Sequence, residues 1–357
     1  MAELRWRRLR RGASGRSGDK FEVQVPLPRS ASGKIYRYCP SEECTPRLFQ
    51  LGAAPEERPN APESAADRHR EPGTPGTTCP YCGRVDEDDA FTWQRDIEHA
   101  KRILVHDAME AVQDYLREMV SEFNRGMPTR GLITARMDFQ PGHTFRPRLF
   151  REDLLRDISC HACARRYGVY AISLFCPDCS AVNLLDHFSR ESELVSRQSE
   201  LADQARSSQK LELAYRLLGN AHEDVLTAFE TALKTVYGHL VRHKLPDQAD
   251  ELLSTRTLGS AFQNIDKARK LFGAIGVDLF SELDERDHAS LRLNIEKRHV
   301  IGHNLGLVDE KYAQFDEVQE PGQTVRLLSE DILQFASTCR SVLAGLEKQI
   351  SKKADEA

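Results

Sequence analysis

Apolar residues recur at helical spacing through most of the second half of the chain. Between Leu211 and His243 they return every three or four residues, as they do on the buried face of an α-helix. The spacing and short connections predict an up-and-down helical bundle over residues 211–350. Within it we expect further helices at residues 257–272, 287–302 and 329–350, a turn at 308–314 and a brief extended segment at 324–327.

The first half of the chain changes pattern several times. Residues 21–25 and 34–38 alternate apolar and polar side chains, which is typical of hairpin strands. Residues 93–126 have one apolar stripe and predict a long helix that packs on or between the neighbouring small domains. Residues 127–148 read as irregular, and the polar run at 189–210 predicts an exposed connecting helix.

Composition and charge narrow the class of protein. The 357 residues are 40% hydrophobic and 29% charged with a net charge of −5, which excludes fibrous and wholly disordered chains. No run approaches the roughly 20 apolar residues of a membrane span, and no apolar segment follows the basic start. We therefore expect a cytoplasmic protein with no membrane partner.

Both ends of the chain are predicted to be disordered tails. Residues 1–19 contain six arginines among glycine and serine, a composition suited to contacts with RNA phosphates. A solvated tail, or an upstream start codon that extends the natural protein, explains the same residues equally well. Residues 351–357 form the second, shorter tail.

Eight of the nine cysteines fall into close pairs, and in a reducing compartment such pairs favour thiolate metal ligands over disulfides. One set lies in residues 127–188, where two CxxC turns are separated by twelve residues of strand-forming type. This is the spacing of a zinc ribbon, in which two turns complete a tetrahedral site. The predicted zinc ligands of this set are Cys160, Cys163, Cys176 and Cys179.

The other set lies in residues 20–92 and has a wide gap between its pairs. Most of the gap, residues 53–78, is rich in proline, alanine, glutamate and glycine and predicts a disordered insertion. Because loop-closure entropy grows slowly with length, the two pairs can still share one zinc ion. The predicted ligands are Cys39, Cys44, Cys79 and Cys82.

Four thiolates close a zinc site to substrate, so both ions are expected to be structural. His161 lies inside one CxxC turn and is interpreted as a solvated histidine, although it has a ligating nitrogen. Catalysis by zinc itself would need an open coordination position. The lone Cys339 sits among apolar residues and is interpreted as a buried core thiol.

Ionisable residues interrupt the packing face of the helix that precedes Asn304. His299 and His303 are four residues apart and share a face, and the long side chain of Arg298 extends toward His303. A histidine exchanges protons near neutral pH, and an arginine holds a phosphate and its transition-state charge. The alternative is that Arg298 is a surface charge and His303 a cation at the end of a helix.

Arg298-His299-x-x-x-His303 resembles the R-polar-x3-H motif of HEPN-domain ribonucleases, and the resemblance covers residues 210–350. It implies an all-α bundle, a homodimer with two motif helices facing a cleft, and RNA cleavage through the 2′-hydroxyl without a metal. Arg298 would contact the phosphate, His303 would transfer protons, and His299 would orient substrate or partner. Many members are toxins or antiviral effectors, so an antitoxin or activator protein is an implied partner.

The fold class expected is therefore multidomain and mainly α, with two small β zinc ribbons and a C-terminal HEPN-like bundle. The ribbons look similar to those of uncharacterised bacterial proteins that have a CPYCG turn followed by a helix. In the first functional hypothesis they dock or sense RNA or a partner for the ribonuclease. In the alternative, the ribbons belong to a non-catalytic nucleic-acid or protein adaptor whose bundle only dimerises.

Overall fold

The computed structural model describes most of the chain, in two compact units. One unit comprises residues 1–38 with 89–154, and the other comprises residues 39–88 with 155–357. Only the backbone is described for residues 13–17, 20–23, 303 and 351–354. The described ranges are 13–17, 20–23, 29–53, 70–71, 73–126, 136–142, 156–254, 258, 260–304, 306–316 and 318–354.

The first unit is built on one long helix. Strands β1 (Ala13–Ser17) and β2 (Lys20–Val23) form an antiparallel hairpin, and β3 (Ile35–Tyr38) follows. Helix α1 (Gln94–Gly126) confirms the helix predicted at 93–126. Trp93, just before α1, stacks on Tyr38 with ring centroids 5.9 Å apart. Strand β1 corrects the predicted disorder of the tail at residues 13–17. Residues 1–12 and 18–19 of that tail, and residues 127–135 and 143–148 of the predicted irregular stretch, lie outside the described residues.

The second unit begins with small antiparallel sheets that link the two cysteine sets. Strand β4 (Leu48–Leu51) pairs with β8 (Arg166–Val169), which also pairs with β7 (Arg156–Ser159). Phe49 of β4 lies opposite Val169 of β8, and both side chains are fully buried. The segments predicted as two ribbons therefore share one sheet, because each contributes strands too short to bury an apolar face alone. The remaining strands, β5 (Thr77–Thr78) and β6 (Val85–Asp86), form a hairpin.

Six described helices of the second unit make the chain mainly helical. They are α2 (Leu184–Ser207), α3 (Leu211–Lys244), α4 (Ala249–Leu252), α5 (Ile265–Ala274), α6 (Glu285–His303) and α7 (Ser329–Ala354). Helices α2, α3 and α7 pack on one another, and α6 packs on α3 and α7. Asn264 and Asp284 accept backbone hydrogen bonds at the starts of α5 and α6, as N-cap residues do.

Most helices lie where the apolar spacing predicts them, and the differences are confined to a few element ends. Within the helix predicted at 257–272, a 3-10 turn at Ala261–Gln263 precedes α5, which begins at Ile265. Helix α7 continues to Ala354, so part of the predicted C-terminal tail is helical. The extended segment at 324–327 makes one bridge, between Thr324 and Leu307.

Helix α2 corrects the prediction of an exposed connector at 189–210. Val195, Ser199, Ala202 and Ala205 are buried along one face of α2, which packs on α3 and α7. Alanine and serine allow close contact between helices but give no hydrophobic period, so the sequence pattern does not predict that this face of α2 is buried. Among the described helices, none combines the length and hydropathy that crossing a lipid bilayer requires.

Candidate metal centres and the polar end of α6

The second cysteine set forms a buried cluster of four thiols. Cys160 Sγ lies 3.8 Å from Cys179 Sγ, and Cys163 Sγ lies 3.6 Å from Cys176 Sγ. All four sulfurs are within 4.8 Å of one another, which is the grouping predicted from the two CxxC turns.

The first set is also brought together, across the wide gap in sequence. Cys39 Sγ is 3.8 Å from Cys82 Sγ, and Cys44 Sγ is 3.6 Å from Cys79 Sγ. Three of these thiols are buried and Cys82 is partly exposed. The predicted sharing of one site by Cys39, Cys44, Cys79 and Cys82 therefore agrees with the geometry of the structure.

Both clusters have the dimensions of a tetrahedral zinc site. Metal–sulfur bonds of about 2.3 Å give tetrahedron edges of about 3.8 Å. A disulfide would bring two sulfurs to about 2.05 Å, and all nine cysteines are free thiols in the structure. The two clusters could therefore hold two zinc ions, with every ligand position taken by sulfur.

The pKa values of the clustered thiols also favour binding of a cation. Hydrogen bonds from neighbouring thiols lower the pKa of Cys82, and hydrogen bonds with those same neighbours raise the pKa of Cys79. In the other cluster they lower the pKa of Cys160, whereas burial raises that of Cys176. Four thiols this close cannot all ionise to thiolates without a compensating positive charge, which a divalent metal ion would supply.

Each cluster is built from two knuckles, the short turns that each carry one close pair of cysteines. Three of the four knuckles share one backbone arrangement. The amide of the first cysteine donates to the carbonyl five residues later, and the amide four residues later donates to the cysteine carbonyl, at 2.8 to 3.0 Å. The residue four positions after the cysteine has a positive φ. The three sets are Cys79 with Gly83 and Arg84, Cys160 with Ala164 and Arg165, and Cys176 with Ser180 and Ala181.

The first knuckle is wider, and an arginine closes it. The amide of Cys39 donates to the carbonyl of Arg47 at 2.8 Å. The Arg47 guanidinium donates back to the carbonyls of Cys39 and Pro40, at 2.8 and 3.1 Å. This side chain replaces the short backbone turn found at the other three knuckles.

The two clusters are joined by hydrogen bonds between their knuckles. The amide of Thr78 donates to the Pro177 carbonyl at 2.9 Å, and the amide of Leu174 donates to the Pro80 carbonyl at 2.8 Å. Gly73 N donates to Asp178 Oδ1 at 2.7 Å. Residues 73–78 of the predicted insertion are thus ordered against the second cluster, which corrects that part of the prediction. Positions 54–69 and 72 of the insertion lie outside the described residues.

His161 takes no part in the second cluster. Its Nδ1 is 2.9 Å from Asp186 Oδ2, and its backbone amide donates to the same oxygen at 3.1 Å. The hydrogen bond with Asp186 raises the pKa of His161 to about 9, so the imidazole is cationic at neutral pH. A further group of possible ligands, His106, Asp107 and Glu110, lies along α1.

The three residues of the predicted RNA site lie in the last two turns of α6. Arg298 Nε is 3.5 Å from Glu223 Oε1 of α3, and the Arg298 side chain is 25% exposed. His299 is partly buried and makes contacts of its own. His303 is the last residue of α6, where only its backbone is described.

Next to this motif the bundle buries polar groups that the linear sequence does not mark. His222 Nε2 is 3.2 Å from Asn294 Oδ1, and its ring stacks on Phe335. Burial lowers the pKa of His222 to about 4, with a smaller contribution from nearby Lys297. Lys297 is itself buried, and burial lowers its pKa. Only the tertiary packing of α3 against α6 brings Glu223 to Arg298.

A cavity of about 460 Å³ lies between the first cluster and α3. Lys234, Arg242 and His243 of α3 line it on one side, and Glu43, Cys44 and Cys82 line it on the other. Within the described residues, neither Lys234 nor Arg242 has a carboxylate within 4 Å. The only sequence signal is the spacing of eight residues between the two cations, which places them on one face of α3.

Comparisons of the chain with protein-family models, with curated proteins and with solved structures gave no match.

Proposed function

We propose that the protein is a metal-independent endoribonuclease of the HEPN type. The observation that carries this proposal is the end of α6, where Arg298, His299 and His303 occupy two successive turns and Arg298 is partly open to solvent. Its only described ion-pair partner is Glu223 at 3.5 Å, a long contact that a phosphate can replace.

The proposed reaction needs a base, an acid and a cation, which His303 of two copies and Arg298 would supply. The 2′-hydroxyl of RNA attacks the adjacent phosphorus, the bond to the 5′ oxygen breaks, and a cyclic phosphate and a 5′-hydroxyl form. His303 takes the proton from the 2′-hydroxyl or delivers one to the 5′ oxygen. Arg298 binds the phosphate and stabilises its developing charge, and His299 orients the substrate.

A homodimer would supply both histidines. One imidazole per chain can act as base or acid, and two copies of α6 facing one cleft provide one of each. The zinc clusters are then structural and docking elements, since their four sulfurs leave no position for water. An enzyme of this kind would act as a toxin or an antiviral effector. Its activity would be inhibited by an antitoxin or switched on by an activator protein.

The test is cleavage of RNA by the purified protein in EDTA. Arg298→Ala and His303→Ala should each lower the rate by roughly 10²-fold or more. Arg286→Ala, an exposed arginine in the first turn of the same helix, should cleave like wild type. Products should end in cyclic phosphate, and DNA should resist cleavage because it lacks the 2′-hydroxyl.

The alternative function is a non-catalytic adaptor that binds RNA or protein. The cavity beside the first cluster favours it, because Lys234 and Arg242 offer charge to an anionic partner. RNA binding that is lost in Lys234→Ala, with no cleavage by wild type and no toxicity on expression, would select the adaptor. Cleavage that survives His303→Ala would contradict the proposed mechanism.

A further inference from the structure

Helix α1 has an apolar stripe that faces solvent. Five large apolar side chains on this helix are between 37% and 62% exposed, although residues of this type are usually buried. They are separated by four, three, four and three residues, and Phe123 continues the series after four more. The exposed members are Val105, Met109, Val112, Leu116 and Met119.

The stripe lies on one narrow face of α1. At about 100° per residue, all six side chains fall within an arc of about 80°. A segment of the same unit packs beside it, where Gln113 Nε2 donates to the Gly142 carbonyl and Asn124 Nδ2 donates to the Met137 carbonyl. Both contacts lie on the flank of α1, so the stripe stays open. A repeat of alternating three and four is the pattern of a coiled-coil seam.

We propose that this stripe is the interface with a second copy of the same chain, in which the two α1 helices pair antiparallel. The spacing four, three, four, three, four reads the same in both directions, so the stripe is complementary to itself when one helix is reversed. With the pair centred at Asp114, Val105 of one chain lies opposite Phe123 of the other, and Val112 opposite Leu116. The six apolar layers extend over about 27 Å.

Charge selects the antiparallel direction. Arg102 occupies the next position of the stripe toward the helix start, with Lys101 beside it. A parallel pair would place Arg102 against its own copy, which is repulsive. In the antiparallel pair Arg102 lies beside the last turn of the other helix, near its partly negative carbonyls and Glu122, whereas Arg125 of that turn lies on the opposite face of the helix. Within the described residues, neither Lys101 nor Glu122 has an ion-pair partner.

This interface is independent of the proposed ribonuclease site, because it uses a different helix. The test is the molar mass of the full chain in solution, by light scattering or sedimentation equilibrium. Wild type should have at least twice the 40.5 kDa of one chain. Val112→Glu combined with Leu116→Glu should halve the mass, from two copies to one or from four to two if the bundle also pairs. Because Val112 and Leu116 are exposed in one chain, the double variant should keep its helix content, which circular dichroism measures.

Two further variants control the test. Ser121→Glu adds one negative charge, half of that in the double variant, on the opposite, exposed face of α1 and should leave the mass unchanged. Arg102→Gln should weaken an antiparallel pair and tighten a parallel one, so tighter association would overturn the proposed direction. A wild-type mass of 40.5 kDa, or the wild-type mass in the double variant, would overturn the interface itself. Mass is measured without RNA, so neither result depends on cleavage.

Discussion

A single backbone position shapes three of the cysteine knuckles. Gly83, Ala164 and Ser180 all have a positive φ four residues after a cysteine, a conformation that costs a residue with a Cβ about 1–2 kcal/mol. At Gly83 there is a second constraint, because a Cβ would lie 3.0 Å from the ring of Phe175. Glycine at this knuckle therefore meets both a torsional and a steric requirement.

We predict that Gly83→Ala destabilises the first cluster by about 1–2 kcal/mol, through the strained φ and the displaced Phe175 ring. Transfer of zinc to a colorimetric chelator should become faster in this variant. Ala164→Gly is the matched control at the equivalent position. There the relieved strain and the added freedom of the unfolded chain should nearly cancel. Equal release from Gly83→Ala and wild type would contradict the prediction.

His222 makes the bundle sensitive to acid. Burial lowers its pKa to about 4, below the usual 6.5, so the unfolded chain binds more protons than the folded chain between these values. The stability from keeping His222 neutral is therefore complete above pH 6.5 and is lost as the pH falls toward 4. At pH 5 the loss is about 2 kcal/mol.

His222→Gln should reduce this sensitivity, because glutamine can donate to Asn294 Oδ1 without titrating. We expect the drop in unfolding free energy from pH 7 to pH 5 to be smaller in the variant by about 2 kcal/mol. Urea denaturation followed by circular dichroism at both pH values measures it. The variant keeps some dependence, since burial also lowers the pKa of His187 and His239. Parallel curves for the two proteins would argue against a neutral, buried His222.

At the scale of elements, the packing of α2 gives two neighbouring residues opposite environments. Ala202 is fully buried against the bundle, whereas Leu201 is exposed. We predict that Ala202→Leu destabilises the protein by about 1–3 kcal/mol through overpacking. Leu201→Ala should change stability by less than about 0.5 kcal/mol, although it removes the larger side chain. Thermal unfolding of both variants measures the contrast. Unchanged stability in Ala202→Leu would contradict the burial of this face and favour the exposed connecting helix expected from the sequence.

The sequence predicts elements well where one large apolar stripe faces the core. Helices α3 and α7 have such stripes and lie within a few residues of their predicted bounds. Helix α2 buries alanine and serine, which give no hydrophobic period. The pairing of β4 with β8 joins residues more than a hundred positions apart, and strand patterns do not specify their partners.

The same limit applies to the candidate sites. The spacing of the cysteines predicts both ligand sets, because a tetrahedral ion restricts which turns can share it. The residues Arg298, His299 and His303 are local to one helix and can be selected from the sequence. Glu223 and the cavity beside Cys44 depend on how α3 packs, and the only local signal for them is the spacing of Lys234 and Arg242 along α3.

At the scale of the whole molecule, the two clusters should lose zinc together. Their knuckles are joined through Thr78 with Pro177 and through Pro80 with Leu174, so unfolding one removes hydrogen bonds from the other. Wild type should contain two zinc ions per chain by elemental analysis. Cys79→Ser should remove one ion and speed the loss of the second to a chelator.

Cys339→Ala is the control for this experiment, because Cys339 is buried in the bundle and belongs to neither four-cysteine cluster. It should keep two ions and the wild-type rate of release. Structural zinc contributes on the order of 10 kcal/mol to the folding of small units, far more than their short strands supply. Removing both ions should therefore unfold the sheets of β4, β7 and β8 while the buried core of α3 and α7 stays helical. If Cys79→Ser released its remaining ion at the wild-type rate, the two clusters would be independent modules despite the bonds between their knuckles.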